Sequence, residues 1–390
     1  MLSKSLSRRQ LLSTLGSTAV GLSASGLGGA GLTLFSQSTQ ASSQPEQQYL
    51  QLASSATQKI EKDKQHQLLS LQGATLGQTI SGWRGHQVAV SPDQRYLVSI
   101  ARRPGRQLLV LDQTTGQHFR VQAAEQRHYY GHGIFSADQR RFYCPENDYD
   151  NARGVIGVYD VNAGFKRINE WSSYGIGPHQ IAWLPKADQQ PNPIMVVANG
   201  GLETHPDYPR IILNPDSMQP NLSYIDQSGA LIDQVKPDHH QLSLRHLDVT
   251  EDGQVWVGAQ YQGLVHESPT LIFNHRIGQK KLQEVDAQPA LWAELQGYIA
   301  SVSAHPKQDT LCITAPKANS VTFWQRTTGQ LIARQKLSDC AGVCAHPSKP
   351  FYIVSNGEGD LVVYHASTGN IMWQTRFDQL HWDNHLTWIG

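Results

Sequence analysis

The feature that most restricts the fold is a recurrence. Seven times a Gly, Pro or Arg with a histidine or aromatic opens a short apolar run: "RGHQVAVSPD", "YGHGIFSADQ", "GPHQIAWLP", "LRHLDVTEDG", "QGYIASVSAHP", "DCAGVCAHP" and "DNHLTWIG". The steps between them are roughly 45 residues, longer around the third and fourth, and a period of about 40–50 residues with four strands per unit marks a β-propeller. Each unit divides the same way. In the second, His132–Ser136 reads as the innermost strand, Arg141–Cys144 as the next, Pro145–Arg153 as a loop, and Val155–Asp160 and Phe165–Trp171 as the outer two. The ends of the chain close the ring. From His86 to about His381 there are six full units, His385–Ile389 is a lone innermost strand, and "YLQLASS", "QHQLLSLQ" and "TLGQTISGW" supply three more before His86. One plus three makes a seventh blade and leaves no open sheet edge at the seam. The expected fold is therefore an all-β, seven-bladed propeller of the WD40 or YVTN kind, a single domain over residues 42–390; a pair of β-sandwiches fits the period poorly. Two departures stand out: an insertion, residues 199–221, in the third unit, and "QPALWAELQG" (288–297), which reads as a short helix before the fifth.

The segment ahead of the domain is an address. Ser7-Arg8-Arg9-Gln10-Leu11-Leu12 resembles a twin-arginine export signal, a Gly/Ser/Ala-rich run follows, and Thr39-Gln40-Ala41 offers small residues for cleavage, so residues 1–41 are expected to be a leader and the mature protein periplasmic. The run is too often broken by Gly and Ser to read as a membrane anchor. Lys+Arg and Asp+Glu both number 32, so no concentrated positive surface for nucleic acid is expected. Four cysteines in 390 residues make no disulfide framework, and Cys340 and Cys344 read as small core residues.

Because strand direction alternates, the residue opening each innermost strand and the loop after the second strand share one rim of the central channel. That rim collects His86, His132, His179, His246, Tyr298 and His385 from the openings. From the loops it collects Arg102 and Arg103, then Glu146, Asn147 and Asp148, then Asn199, Glu203 and His205, then Gln260 and Tyr261. His86, His132, His179 and His246 with Glu146 or Glu203 make a donor set suited to iron, copper or zinc, and the remaining rim residues would contact a ligand. Histidines with arginines suit an anion equally. A lone histidine at such a place serves instead as a hydrogen-bonding tie between blades, and that alternative stands beside the metal set. His86 and His179 precede Pro92 and Pro185 by six residues, while His132 precedes Ala137 by five. A one-residue slip turns a side chain to the other face, so only a bulge or a loose first residue gives the histidines a common aim.

The strings "RGHQVAVSPD", "ARRPGR", "YGHGIFSAD", "ENDYDNARGVIGVYD", "GIGPHQIAWLP", "VVANGGLETHPD", "LSLRHLDV" and "GYIASV" resemble the exported propeller family called domain of unknown function 1513, over essentially the whole mature chain. The resemblance implies a neighbourhood of imelysin-type proteins and other periplasmic iron-uptake or redox proteins; it supplies no activity and no catalytic residue. Tyr298 and Ala341 stand where histidines would complete the pattern, which favours a one-sided site on the first four blades. Three functions fit: a periplasmic module binding a metal or metal-bearing ligand, a metal-dependent hydrolase or oxidoreductase with a histidine or a buried Glu such as Glu146 as base, or a docking platform using the 199–221 loop.

Overall fold

Strands two and three of blades 1, 3, 5 and 6 are mainly apolar on both faces, so they are stable only when sandwiched between neighbouring sheets. The computed structural model describes residues 50–60, 63–73, 75–185, 192–208 and 211–390, and it places these strands in that way. Seven antiparallel sheets stand in a ring. In blade 3, Met195–Asn199 and Asn221–Ile225 are buried throughout, whereas the outermost strand, Leu231–Val235, is mostly exposed. Apolar clusters fill the gaps between blades in turn, from blades 1 and 2 round to the seam between blade 7 and blade 1.

The seam closes as one plus three. Gln51–Ile60, Asp63–Gln72 and Thr75–Ile80 form the outer three strands of blade 7, and the C-terminal pieces Leu380–Trp382 and Thr387–Trp388 both pair with Gln51–Ile60. Arg84 of the first blade grips Asp383 through Nε and Nη2, and the Thr387 hydroxyl donates to the Val88 carbonyl at 2.7 Å. The helix is present as Pro289–Glu294, with Trp292 stacked on Trp324 of blade 5 at 5.6 Å between ring centres. The inserted segment joins the second and third strands of blade 3, and all four cysteines are buried and free. Residues 1–41, the expected leader, lie outside the described residues.

One strand differs from expectation. The second strand of blade 2 does not stop at Cys144; it runs Arg141–Asp148 and pairs along its length with Arg153–Asp160. Pro145 does not break it. The Pro145 carbonyl accepts Tyr130 N–H at 3.1 Å, so its missing N–H falls on the same side, against a stretch where the innermost strand is interrupted and no ladder bond is lost. Glu146, Asn147 and Asp148 therefore sit inside a sheet rather than on a loop.

Candidate functional site

The histidines are aimed by bulges. In blade 1 the register jumps from Gly85 opposite Ala101 to Val88 opposite Ser99, so His86 and Gln87 together face a single residue. Blade 3 repeats this with His179 and Gln180, and blade 4 with Arg245 and His246. Blades 2 and 7 carry a wider interruption: residues 130–133 and 383–386 stand out of register, and these hold His132 and His385. Blade 6 has the same bulge with Ala341 in it.

The result is a closed ring of imidazoles over five consecutive blades, from the seventh through the first to the fourth. Neighbouring ring centres are 4.5 Å apart for His385 and His86, 4.9 Å for His86 and His132, 4.9 Å for His132 and His179, and 4.7 Å for His179 and His246. The circuit closes from His246 to His385 at 4.8 Å. All five are buried. Gly131 makes room for this: its φ is +97°, and a Cβ there would lie 2.5–2.7 Å from His86 side-chain atoms. Gly131→Ala is expected to push His86 off the ring while the fold survives, and so to weaken the hold of the ring on any ion placed there; a folded variant whose crystal structure keeps His86 in the ring would contradict this placement.

Hydrogen bonds fix two of the tautomers. Gln87 Oε1 accepts the Gly133 N–H at 3.1 Å, which identifies that atom as oxygen. The same atom lies 3.1 Å from His132 Nδ1, so Nδ1 carries the proton and Nε2 presents a bare lone pair. Ser301 donates its hydroxyl to the Asn384 carbonyl and accepts from His385 Nδ1 at 3.0 Å, which leaves His385 Nε2 bare as well. That atom is 3.2 Å from His86 Nε2. Five buried ring nitrogens have no partner at all: His86 Nδ1, His132 Nε2, both nitrogens of His179, and His246 Nδ1. Each buried, unsatisfied polar atom costs about 1–3 kcal/mol, and native proteins carry few of them.

Two groups of three have donor atoms within 4.8 Å of one another: His86, His179 and His246, and His86, His132 and His385. A tetrahedral ion with bonds of ~2.1 Å spaces its ligands ~3.4 Å apart, so modest ring rotations complete either set. Burial is the largest cause that keeps these imidazoles neutral. A neighbouring imidazole adds to it for four of them, and Arg102 for His385; His86, His132, His179 and His246 protonate well below the ordinary range and His385 at about 3. Protons therefore compete weakly with a metal.

The same shifts set the pH response of the metal-free fold. At His385, between pH 6.5 and about 3, the unfolded chain binds a proton that the folded chain refuses, so stability falls as pH falls through that window, by up to ~1.4 kcal/mol per unit per histidine. Asp248, raised by burial to about 6, acts in the opposite sense, as do Asp339 and Asp383, also raised by burial; these three stand against the five ring histidines and His66, His128, His275, His305 and His346, all lowered by burial. The denaturation midpoint of metal-free protein is expected to drop steadily from pH 7 to pH 4, and less steeply in His385→Asn. A flat profile would contradict the neutral cluster.

The ring lies between two cavities. His86, His179 and His246 line a chamber of about 800 Å³ with Arg102, Arg103, Arg245, Tyr130, Gln260 and Tyr298 around it. His132 and His385 line a second cavity of about 330 Å³ with Gln87, Gln180 and Ser301.

The structure thus gathers the four expected histidines and adds His385, the fifth opening histidine, from blade 7. It also brings Arg102, Arg103 and Gln260 to the chamber. The other expected residues are placed elsewhere. Glu146 turns into blade 2, where Arg167 Nη2 donates to it at 2.9 Å and the Tyr159 hydroxyl at 2.5 Å. Asp148 is paired with Arg127 and Arg153. Asn147 donates to His128 Nε2 and to the Thr204 carbonyl, tying the inserted loop to blade 2. Asn199 donates to the Ser173 carbonyl and to Asn221, and the Tyr261 hydroxyl meets His239 Nε2 at 3.3 Å. Glu203 sits in the inserted loop, its N–H held by Asn214 Oδ1, and His205 lies beside Asp150 and Asp207. Neither joins a histidine group among the described residues. Arg245 is the site residue the sequence reading passed over; an arginine inside the apolar run "LSLRHLDV", next to a ring histidine, was its signal.

The sequence model of the family described as "Protein of unknown function (DUF1513)" matches residues 81–389. The chain belongs to this family. The match runs from the approach to blade 1 to the last strand of blade 7, so it takes in all five ring histidines and the chamber arginines. No curated protein matches the chain. Among solved structures, the crystal structure of RRP9 WD40 repeats is similar, with 15% identity and a TM-score of 0.51 over 76% of this chain and 84% of that one. At that identity the likeness concerns the fold alone.

Proposed function

We propose that this DUF1513 protein is an exported, periplasmic metal-binding propeller that holds one first-row transition ion in the ring of His86, His132, His179, His246 and His385. The observation that carries this is the set of five buried, partnerless imidazole nitrogens in one ring. Isolated ties between blades would leave no such atoms: His132 and His385 use Nδ1 that way and His86 Nε2 meets His385 Nε2 at 3.2 Å, yet five ring nitrogens still have no partner. Neutral imidazoles suit zinc, copper and ferrous ion, whereas ferric ion takes hard anionic oxygens that no side chain in the ring supplies. A role in iron uptake beside imelysin-type proteins is supported by the family resemblance, and export by Ser7–Leu12. An enzyme built on the same ion would need a base other than Glu146, whose carboxylate is engaged by Arg167. The test is elemental analysis of protein purified from the periplasm, followed by titration of stripped protein with Zn²⁺, Cu²⁺ and Fe²⁺. One equivalent bound at neutral pH is expected; no binding above background by any of the three would refute the reading.

A further inference from the structure

Most of the charge lining the chamber over the histidines has no carboxylate partner among the described residues. Four arginines line it, and none of its lining residues is an Asp or Glu. Arg84 is paired, with Asp383 at 2.9 Å. Arg102, Arg103 and Arg245 have no carboxylate within ion-pairing distance among the described residues; Arg245 Nε is held only by the Ser243 hydroxyl at 3.1 Å. Arg103 Nη1 is buried without any partner. The contrast with blade 2 is sharp: Arg127, Arg153 and Arg167 all face carboxylates there.

We infer that the chamber binds a small multivalent oxyanion, carrying two or more carboxylate or phosphoryl groups, which also reaches the histidine ring and completes the coordination of its metal. The second half of this inference rests on the metal reading above; the first half does not. Guanidinium forks match such groups through paired hydrogen bonds, and Gln260, Tyr130 and Tyr298 add neutral polar groups to the same wall. The chamber's size lies within the ~300–1,000 Å³ typical of small-molecule sites. The charge account agrees. A divalent or trivalent ion on neutral imidazoles beneath three unpaired arginines needs several negative charges, and the carboxylates Glu146 and Glu203 do not provide them. The anion supplies the hard oxygens that the ring lacks, so a ferric ion would enter as its anionic chelate.

The test is calorimetric titration of citrate, and separately of pyrophosphate, into metal-free protein and into protein loaded with Zn²⁺. Wild type is expected to bind at least one of the two without metal, and more tightly with it. Arg245→Gln and Arg103→Gln should each weaken binding at least tenfold, while Arg95→Gln, whose partner Asp112 lies on the opposite, turn-bearing face, should not. Preference for citrate assigns a carboxylate chelate and preference for pyrophosphate a phosphoryl ligand; both support the inference. Neither anion binding to either form, or a folded Arg245→Gln or Arg103→Gln protein binding as wild type does, would overturn it. Metal uptake without anion binding would leave the histidine ring standing and remove the chamber; anion binding without metal uptake would do the reverse.

Discussion

Replacing His86 by alanine is expected to lower metal affinity by more than about 100-fold, since loss of an outer-shell partner alone costs about 10–100-fold. His86 is the one residue common to both candidate ligand groups. Its ring centre lies 4.5–6.2 Å from those of the other four histidines, and its Nε2 stands 3.2 Å from His385 Nε2, a spacing two ligands of one ion adopt. His179→Ala leaves the His86–His132–His385 group intact, so it should cost less. Gln87→Ala removes no ligand but frees the His132 ring, and a loss of about 10–100-fold is expected from it. Competition against a chelator of known affinity ranks the three variants. His86→Ala binding as tightly as wild type would remove the ring as the metal site.

Glu146→Gln is expected to act on stability and not on binding. The Glu146 carboxylate is fully buried and takes hydrogen bonds from Tyr159 and from both Nε and Nη2 of Arg167, whose side chain is 21% exposed. Removing one partner of such a pair leaves the other charge uncompensated and costs ~3 kcal/mol. Arg167 keeps Glu170 as a second partner, which places the loss at the lower end of what buried pairs show. Chemical denaturation reads the loss, and metal titration of the folded variant should match wild type. A variant with unchanged stability and lost metal binding would return Glu146 to the site.

What could be read from the sequence was whatever repeats. The period, the one-plus-three closure, the insertion in blade 3 and the helix at Pro289–Glu294 all follow from spacing and turn residues. The convergence of histidines on one rim was legible for the same reason. Their aim was not, because a bulge adds a residue to one strand without any mark in composition: "GHQ" in blade 1 and "PHQ" in blade 3 share a bulge that only pairing reveals. Glu146, Asn147 and Asp148 were misplaced because Pro145 reads as a strand end unless the neighbouring strand is known to be interrupted there. The unpaired chamber arginines come from two different places, a loop after a second strand for Arg102 and Arg103 and a bulge for Arg245. Only closure of the ring brings them together.

Crystals of the metal-loaded protein, measured at the absorption edge of zinc or copper, bear most directly on the claim that bulged strands from five blades assemble one metal site. The expected result is an anomalous peak inside the channel, ~2.1 Å from imidazole nitrogens of at least three of His86, His132, His179, His246 and His385. A peak only on exposed histidines such as His118 and His240, with none in the channel, would contradict it.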